Sequence, residues 1–180
     1  TATAQNEITT FPGAPVTATN RNVALMSTGA SILTQDLVKA GAELEATAKV
    51  DITLTGGWQS GGGTTADAGG DVNVRSTSAY GASGLFTAGN DVAFTSAGAL
   101  VKGGGAGDTK VIAGNDIGMA AGSFIDGGSA QVTGQAGHDI QLALVKTNYP
   151  GTNPDANAPA VTLVAGTKGG GSITDLHSFS

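Results

Sequence analysis

The chain contains no cysteine, which excludes a disulfide scaffold and any thiolate metal centre. Aromatic residues make up only 4% and charged residues only 12%, so a conventional core built on Leu, Ile and Phe is not expected. Disorder is not the default either. Disordered chains are charge-rich and poor in aliphatics, and this one is 39% hydrophobic. Basic residues are scarce, 8 against 14 acidic, for a net charge of −6. That balance argues against nucleic acid and against an anionic membrane surface as partners. No apolar run approaches the roughly 18 residues of a membrane-spanning helix. The chain starts at Thr1 without a signal peptide, which reads as a mature or excised piece of something longer.

What is abundant is small: 30 glycines in 180 residues, with Ala, Thr and Ser. The glycines have no three-residue period, so collagen is excluded. They belong instead to a repeat. Ala68-Gly69-Gly70-Asp71-Val72-Asn73-Val74 recurs as Ala88-Gly89-Asn90-Asp91-Val92-Ala93-Phe94, as Ala113-Gly114-Asn115-Asp116-Ile117-Gly118-Met119, and as Ala136-Gly137-His138-Asp139-Ile140-Gln141-Leu142. A weaker copy runs from Ala48 to Leu54, and a last one is expected within Ala165 to Thr174. Ser31, Asp51, Asp71 and Asp91 are spaced by 20 residues; Asp116 and Asp139 follow after 25 and 23.

Each repeat reads as a short strand, a tight Ala-Gly-x-Asp corner, a second short strand and a longer Gly/Ser connection. After the corner the pattern alternates with period two. One side carries Ile52/Leu54, Val72/Val74, Val92/Phe94, Ile117/Met119 and Ile140/Leu142; the other carries Thr53, Asn73, Ala93, Gly118 and Gln141. Such a unit cannot bury its apolar face alone, and stacking equivalent strands solves this. The expected architecture is all-β: a parallel β-helix of about six or seven coils with a 20–25 residue period. The alanines 48, 68, 88, 113 and 136 suit a crowded inner corner, and the glycine after the last four suits a positive backbone angle. Residues 1–22 read as an N-terminal linker, cap or extra strand. Residues 23–180 read as a single β-helix domain with a Pro-rich insert at 148–160. Between Ile32 and Ala48 a helix competes on composition, but Ala40-Gly41-Ala42-Glu43-Leu44 mimics the repeat corner and favours strand.

The units AGGDVNV, AGNDVAF, AGNDIGM and AGHDIQL resemble the degenerate repeats of filamentous-haemagglutinin-type proteins, large secreted bacterial adhesins and two-partner-secretion exoproteins. The likeness covers roughly Ser27 to Ile173. It implies a right-handed parallel β-helix, export to the bacterial surface, and a role as an extended fibre that presents or forms a binding site. A recognisable secretion domain and an Arg-Gly-Asp tripeptide are both missing from the sequence.

Candidate chemistry is sparse. Asp51, Asp71, Asp91, Asp116 and Asp139 suggest calcium, but the closest nonapeptide-like match, Gly103 to Asp108, lacks a glycine of that motif. Structural turn bonding by these carboxylates is the expectation. Asn90 and Asn115 share a corner column with Gly70 and His138, where Asn tolerates a left-handed backbone or stacks in an amide ladder. Two histidines, His138 and His177, make a poor metal site without placed carboxylates. No catalytic residue, cofactor or metal ligand is assigned. β-Helical pectate lyases and polygalacturonases need clustered carboxylates with a basic residue, whereas here the acids fall one per repeat and Arg21 and Arg75 are the only arginines. Trp58, Tyr80 and Tyr149 are the candidates for partner binding, the first two in Gly/Ser connections and the third in the insert. Expected partners are neighbouring repeats, further copies of the chain, or a host or bacterial surface glycan or protein. The competing function is a polysaccharide-binding or polysaccharide-cleaving β-helix.

Overall fold

The computed structural model describes residues 1–76, 78–103, 107–148 and 160–176. Their regular structure is entirely β, arranged in three parallel sheets of eight, eight and seven strands. One coil shows the plan. Leu44–Ala48 lies in the first sheet, Ile52–Leu54 in the second and Trp58–Ser60 in the third; Gly63–Ala68 then returns to the first sheet beside Leu44–Ala48. The molecule is a parallel β-helix, as the repeat predicts. At about 4.8 Å between strands, eight strands make a rod about 34 Å long.

The repeat register sets the core. Ile52, Val72, Val92, Ile117 and Ile140 pair in succession along the second sheet, and Ile173 extends the column at its end. Leu54, Val74, Phe94 and Met119 form the neighbouring column. The first four residues of each column are at most 2% exposed. Each such side chain contributes roughly 1.5–3 kcal/mol of burial. Bulk in one coil is matched by smallness in the next. Phe86 stacks on Ala66 on one side and Val111 on the other, and Gly134 follows Val111. A narrow coil thus accommodates a benzyl group without overpacking.

The connection after the second strand is not a loop. It contains a third strand in every coil from Val16–Ala18 through Leu144–Lys146, and these strands make the seven-stranded sheet. The 1–22 stretch contributes Ala2–Ala4, Ile8–Thr10 and Val16–Ala18, one strand to each sheet, so the coil begins well before residue 23. Residues 32–48 are Ile32–Thr34, Val38–Ala40 and Leu44–Ala48, three strands rather than a helix. Of the Pro-rich insert, residues 149–159 lie outside the described residues; Val161–Val164 rejoins the first sheet beside Val132–Ala136.

The corner glycines correct the expectation of a positive backbone angle. Gly69, Gly89, Gly114 and Gly137 have no positive φ; among the described residues it occurs at Gly166 in the last, irregular copy and at glycines outside the corners, such as Gly98 and Gly122, and at no Asn. What Gly89 and Gly114 supply is space between coils. A Cβ on Gly89 would lie 2.0 Å from the Gly69 carbonyl oxygen, and one on Gly114 would lie 1.9 Å from that of Gly89. The alanines before them are at most 4% exposed, each tucked inside the corner.

Candidate functional site

The aspartates at the corner between the first and second sheets form one continuous ladder. The Asp51 Oδ1 accepts from the Asp71 backbone N–H at 2.8 Å, Asp71 from Asp91 at 3.2 Å, Asp91 from Asp116 at 3.0 Å, and Asp116 from Asp139 at 2.9 Å. Serine terminates it at both ends. The Ser31 hydroxyl accepts from Asp51 N at 3.2 Å, and Asp139 accepts from Ser172 N at 2.8 Å. The bonds are not local turns. Each carboxylate reaches the equivalent residue of the following coil, while each Asp carbonyl accepts from the preceding coil, as in Val72 N to Asp91 O at 2.9 Å.

Magnitudes show why like charges can stack here. Two carboxylates one coil apart repel by about 1 kcal/mol in water-like surroundings. A hydrogen bond to a charged acceptor returns about 1.5–3 kcal/mol, and every rung has one. Asp51, Asp71, Asp91 and Asp116 are half-buried rather than buried and Asp139 is exposed, so water still screens the repulsion. Asp139 is held below the ordinary carboxylate range, chiefly by the Ser172 backbone N–H, then by the Ser172 hydroxyl, with His138 adding a smaller effect.

Beside the ladder, Asn115 donates its amide to Asp91 Oδ1 at 2.9 Å and to Asp116 Oδ2 at 3.2 Å. His138 Nδ1 contacts Asn115 Oδ1. Asn115 therefore cross-links two rungs rather than supplying a left-handed corner. Among the described residues no group of three or more acidic, His or Cys side chains is placed to hold a metal ion; His177 lies outside them.

The partner-binding candidates separate. Trp58 is 0% exposed: it lies in the inward column of the third sheet between Val38 and Ala79. Its Nε1–H donates to the buried Thr34 hydroxyl at 2.8 Å. It is a core residue with no surface to offer a partner, and its small neighbour Ala79 opens the space it fills. Tyr80 is on the outer side of the same sheet and is 38% exposed. Tyr149 lies outside the described residues.

Around Tyr80 the structure brings together residues the sequence reading did not connect. Lys39, Gln59, Tyr80, Lys102, Asp126 and Lys146 pair in register down the outer face of the third sheet. Asp126 is largely buried, 3.4 Å from Lys146 and 4.0 Å from Lys102. The Lys146 ammonium also sits 5.4 Å from the centre of the Phe124 ring. These lysines are irregularly spaced in sequence, and only the third sheet aligns them. No helix among the described residues is long and apolar enough to cross a membrane. Comparison with protein-family models, with curated proteins and with solved structures found no match to this chain.

Proposed function

We propose that the chain is a non-enzymatic segment of a secreted bacterial surface fibre, a rod that spaces and presents a binding surface. The observation that carries this reading is the ladder itself. The corner carboxylates Asp51, Asp71, Asp91 and Asp116 are spent on the backbone of the next coil, one per coil, in a continuous axial bond. That arrangement builds length and stiffness; it does not converge acids and bases on one reacting atom. The resemblance of the corner units to adhesin repeats supports the location and the adhesive role. The first and last strands of the sheets leave one edge without a strand partner among the described residues. Such edges accept a further coil of the same kind, from a longer chain or from another copy.

The reading is tested by adhesion. Beads coated with the chain should be retained on epithelial monolayers or bacterial lawns above albumin-coated beads, and incubation with polyuronate should release no unsaturated product with or without calcium. Retention equal to albumin overturns the adhesive role. Steady release of unsaturated uronides replaces it with the polysaccharide-cleaving alternative.

A further inference from the structure

Gly118 lacks the reason the corner glycines have. Its φ is not in the left-handed region, and a Cβ placed on it would meet nothing within 4 Å. It lies on the outer face of the second sheet, in register with Ala93 on one side and Gln141 on the other. Thr174 continues the row beyond Gln141. The missing side chain forms the floor of a depression of about 400 Å3, bordered by Asp116, Asp139, Gln141, Ser172 and Thr174. That volume lies within the range of small-ligand sites.

The rim chemistry is mixed. Asp139 supplies its second carboxylate oxygen and Asp116 the lone pairs left beside its bonds from Asp139 N and Asn115; Gln141 supplies an amide that donates and accepts; the Ser172 hydroxyl, its hydrogen given to Asp139, accepts, and the Thr174 hydroxyl does both. The Ser172 N–H and hydroxyl both donate to Asp139 Oδ1, at 2.8 and 2.9 Å, which fixes the orientation of the carboxylate. Adjacent sugar hydroxyls each donate and accept, and a carboxylate beside an amide and two hydroxyls satisfies such a set with charge-assisted bonds. A side-chain-free floor lets one face of a pyranose chair approach the strand backbone. Two carboxylates at the rim disfavour an anionic sugar.

We propose that this depression binds one hexose-sized unit of a neutral glycan. The inference rests on the reading of the rod as a binding surface and names the place on it. Because Gly118 faces open space, filling it tests the site without attacking the fold. The probe is a panel of neutral glucose, mannose and galactose hexasaccharides, α- and β-linked, titrated calorimetrically against the chain and against Gly118→Val and Gln141→Ala. The expected result is binding of at least one member, weakened tenfold or more by Gly118→Val and several-fold by Gln141→Ala, with Gly118→Val melting no lower than the parent. Equal binding by parent and Gly118→Val overturns the site while leaving the rod a glycan-binding surface elsewhere. Binding of no member overturns the neutral-glycan assignment even if bead adhesion persists. A rise in melting temperature with calcium alone, and no glycan binding, replaces the sugar by a cation.

Discussion

Replacing Gly114 by Ala adds one methyl group, yet it should be among the most damaging small changes in this chain. The Cβ would stand 1.9 Å from the Gly89 carbonyl oxygen and 2.8 Å from its carbon. Both are backbone atoms of the coil below, so no side chain can rotate away. An ordinary contact needs about 3.4 Å or more, and relief requires the two coils to part by more than an ångström at the corner. The bonds from Gly114 N to Ala88 O at 2.9 Å and from Asn115 N to Asn90 O at 2.8 Å hold that gap shut. Stretching both costs about 1–3 kcal/mol, and residual overpacking adds about 1–3 kcal/mol. The gain from restricting the unfolded chain, about 0.4–1 kcal/mol, only partly offsets this. The expected net loss is about 3 kcal/mol, a fall of roughly 6–12 °C in Tm for a chain of this size. Gly118→Ala is the matched control, four residues on, with open space at the Cβ and no left-handed φ; it should melt at or slightly above the parent. Thermal unfolding followed by circular dichroism reads both. A Gly114→Ala chain that melts within a degree of the parent would refute the close-approach reasoning, and so would equal losses in the two variants.

Asp91→Ala removes the acceptor for Asp116 N and for the Asn115 amide, and should cost about 2–3 kcal/mol in a denaturant titration; Asp91→Asn keeps an acceptor oxygen and should cost less than half as much, so equal losses would discount the ladder. Trp58→Ala should lower stability by about 3–5 kcal/mol because the ring is wholly buried and its N–H is bonded to Thr34; a variant of parental stability with weakened adhesion would return Trp58 to the surface. Val92→Asp buries an unpaired charge in a column position that is 0% exposed and should abolish cooperative unfolding, whereas Thr53→Asp on the outer side should be nearly silent; similar damage from both would break the inward and outward assignment. Asp139 is lowered in the folded chain, so its contribution is fully present above the ordinary aspartate pKa of about 3.9 and is lost as pH falls through the lower folded value. Asp139→Asn should therefore flatten the acid limb of the Tm-versus-pH curve below about pH 4, and an unchanged acid limb counts against the Ser172 contact.

Much of this rod was legible before any coordinates, for a reason specific to solenoids. Equivalent residues of successive coils are stacked neighbours, so a 20-residue interval such as Asp51 to Asp71 to Asp91 is also a spatial contact. The alternation from Ile52 to Leu54 and from Val72 to Val74 states which side is core, and the structure buries those residues. The third sheet escaped notice because its strands share no motif from coil to coil: Val38–Ala40, Trp58–Ser60 and Ala79–Gly81 differ at every position, whereas the equally short second-sheet strands repeat theirs. Trp58 was misplaced with it.

Local reasoning also mistook the corner. Read along the chain, Gly beside Asp suggests a left-handed turn closed by its own side chain. In space, Gly114 yields to a carbonyl of the previous coil, and each Asp up to Asp116 bonds to the aspartate of the next. The depression over Gly118 was equally invisible, because a glycine needed for packing and a glycine over open space are the same letter. Composition and period were enough to establish the coil, since stacking identical units is the only way such small, apolar strands can hide from water. The reason for each glycine, the burial of Trp58 and the assembly of Asp116, Asp139, Gln141, Ser172 and Thr174 around a common hollow depend on distances between coils, and only the tertiary structure sets those.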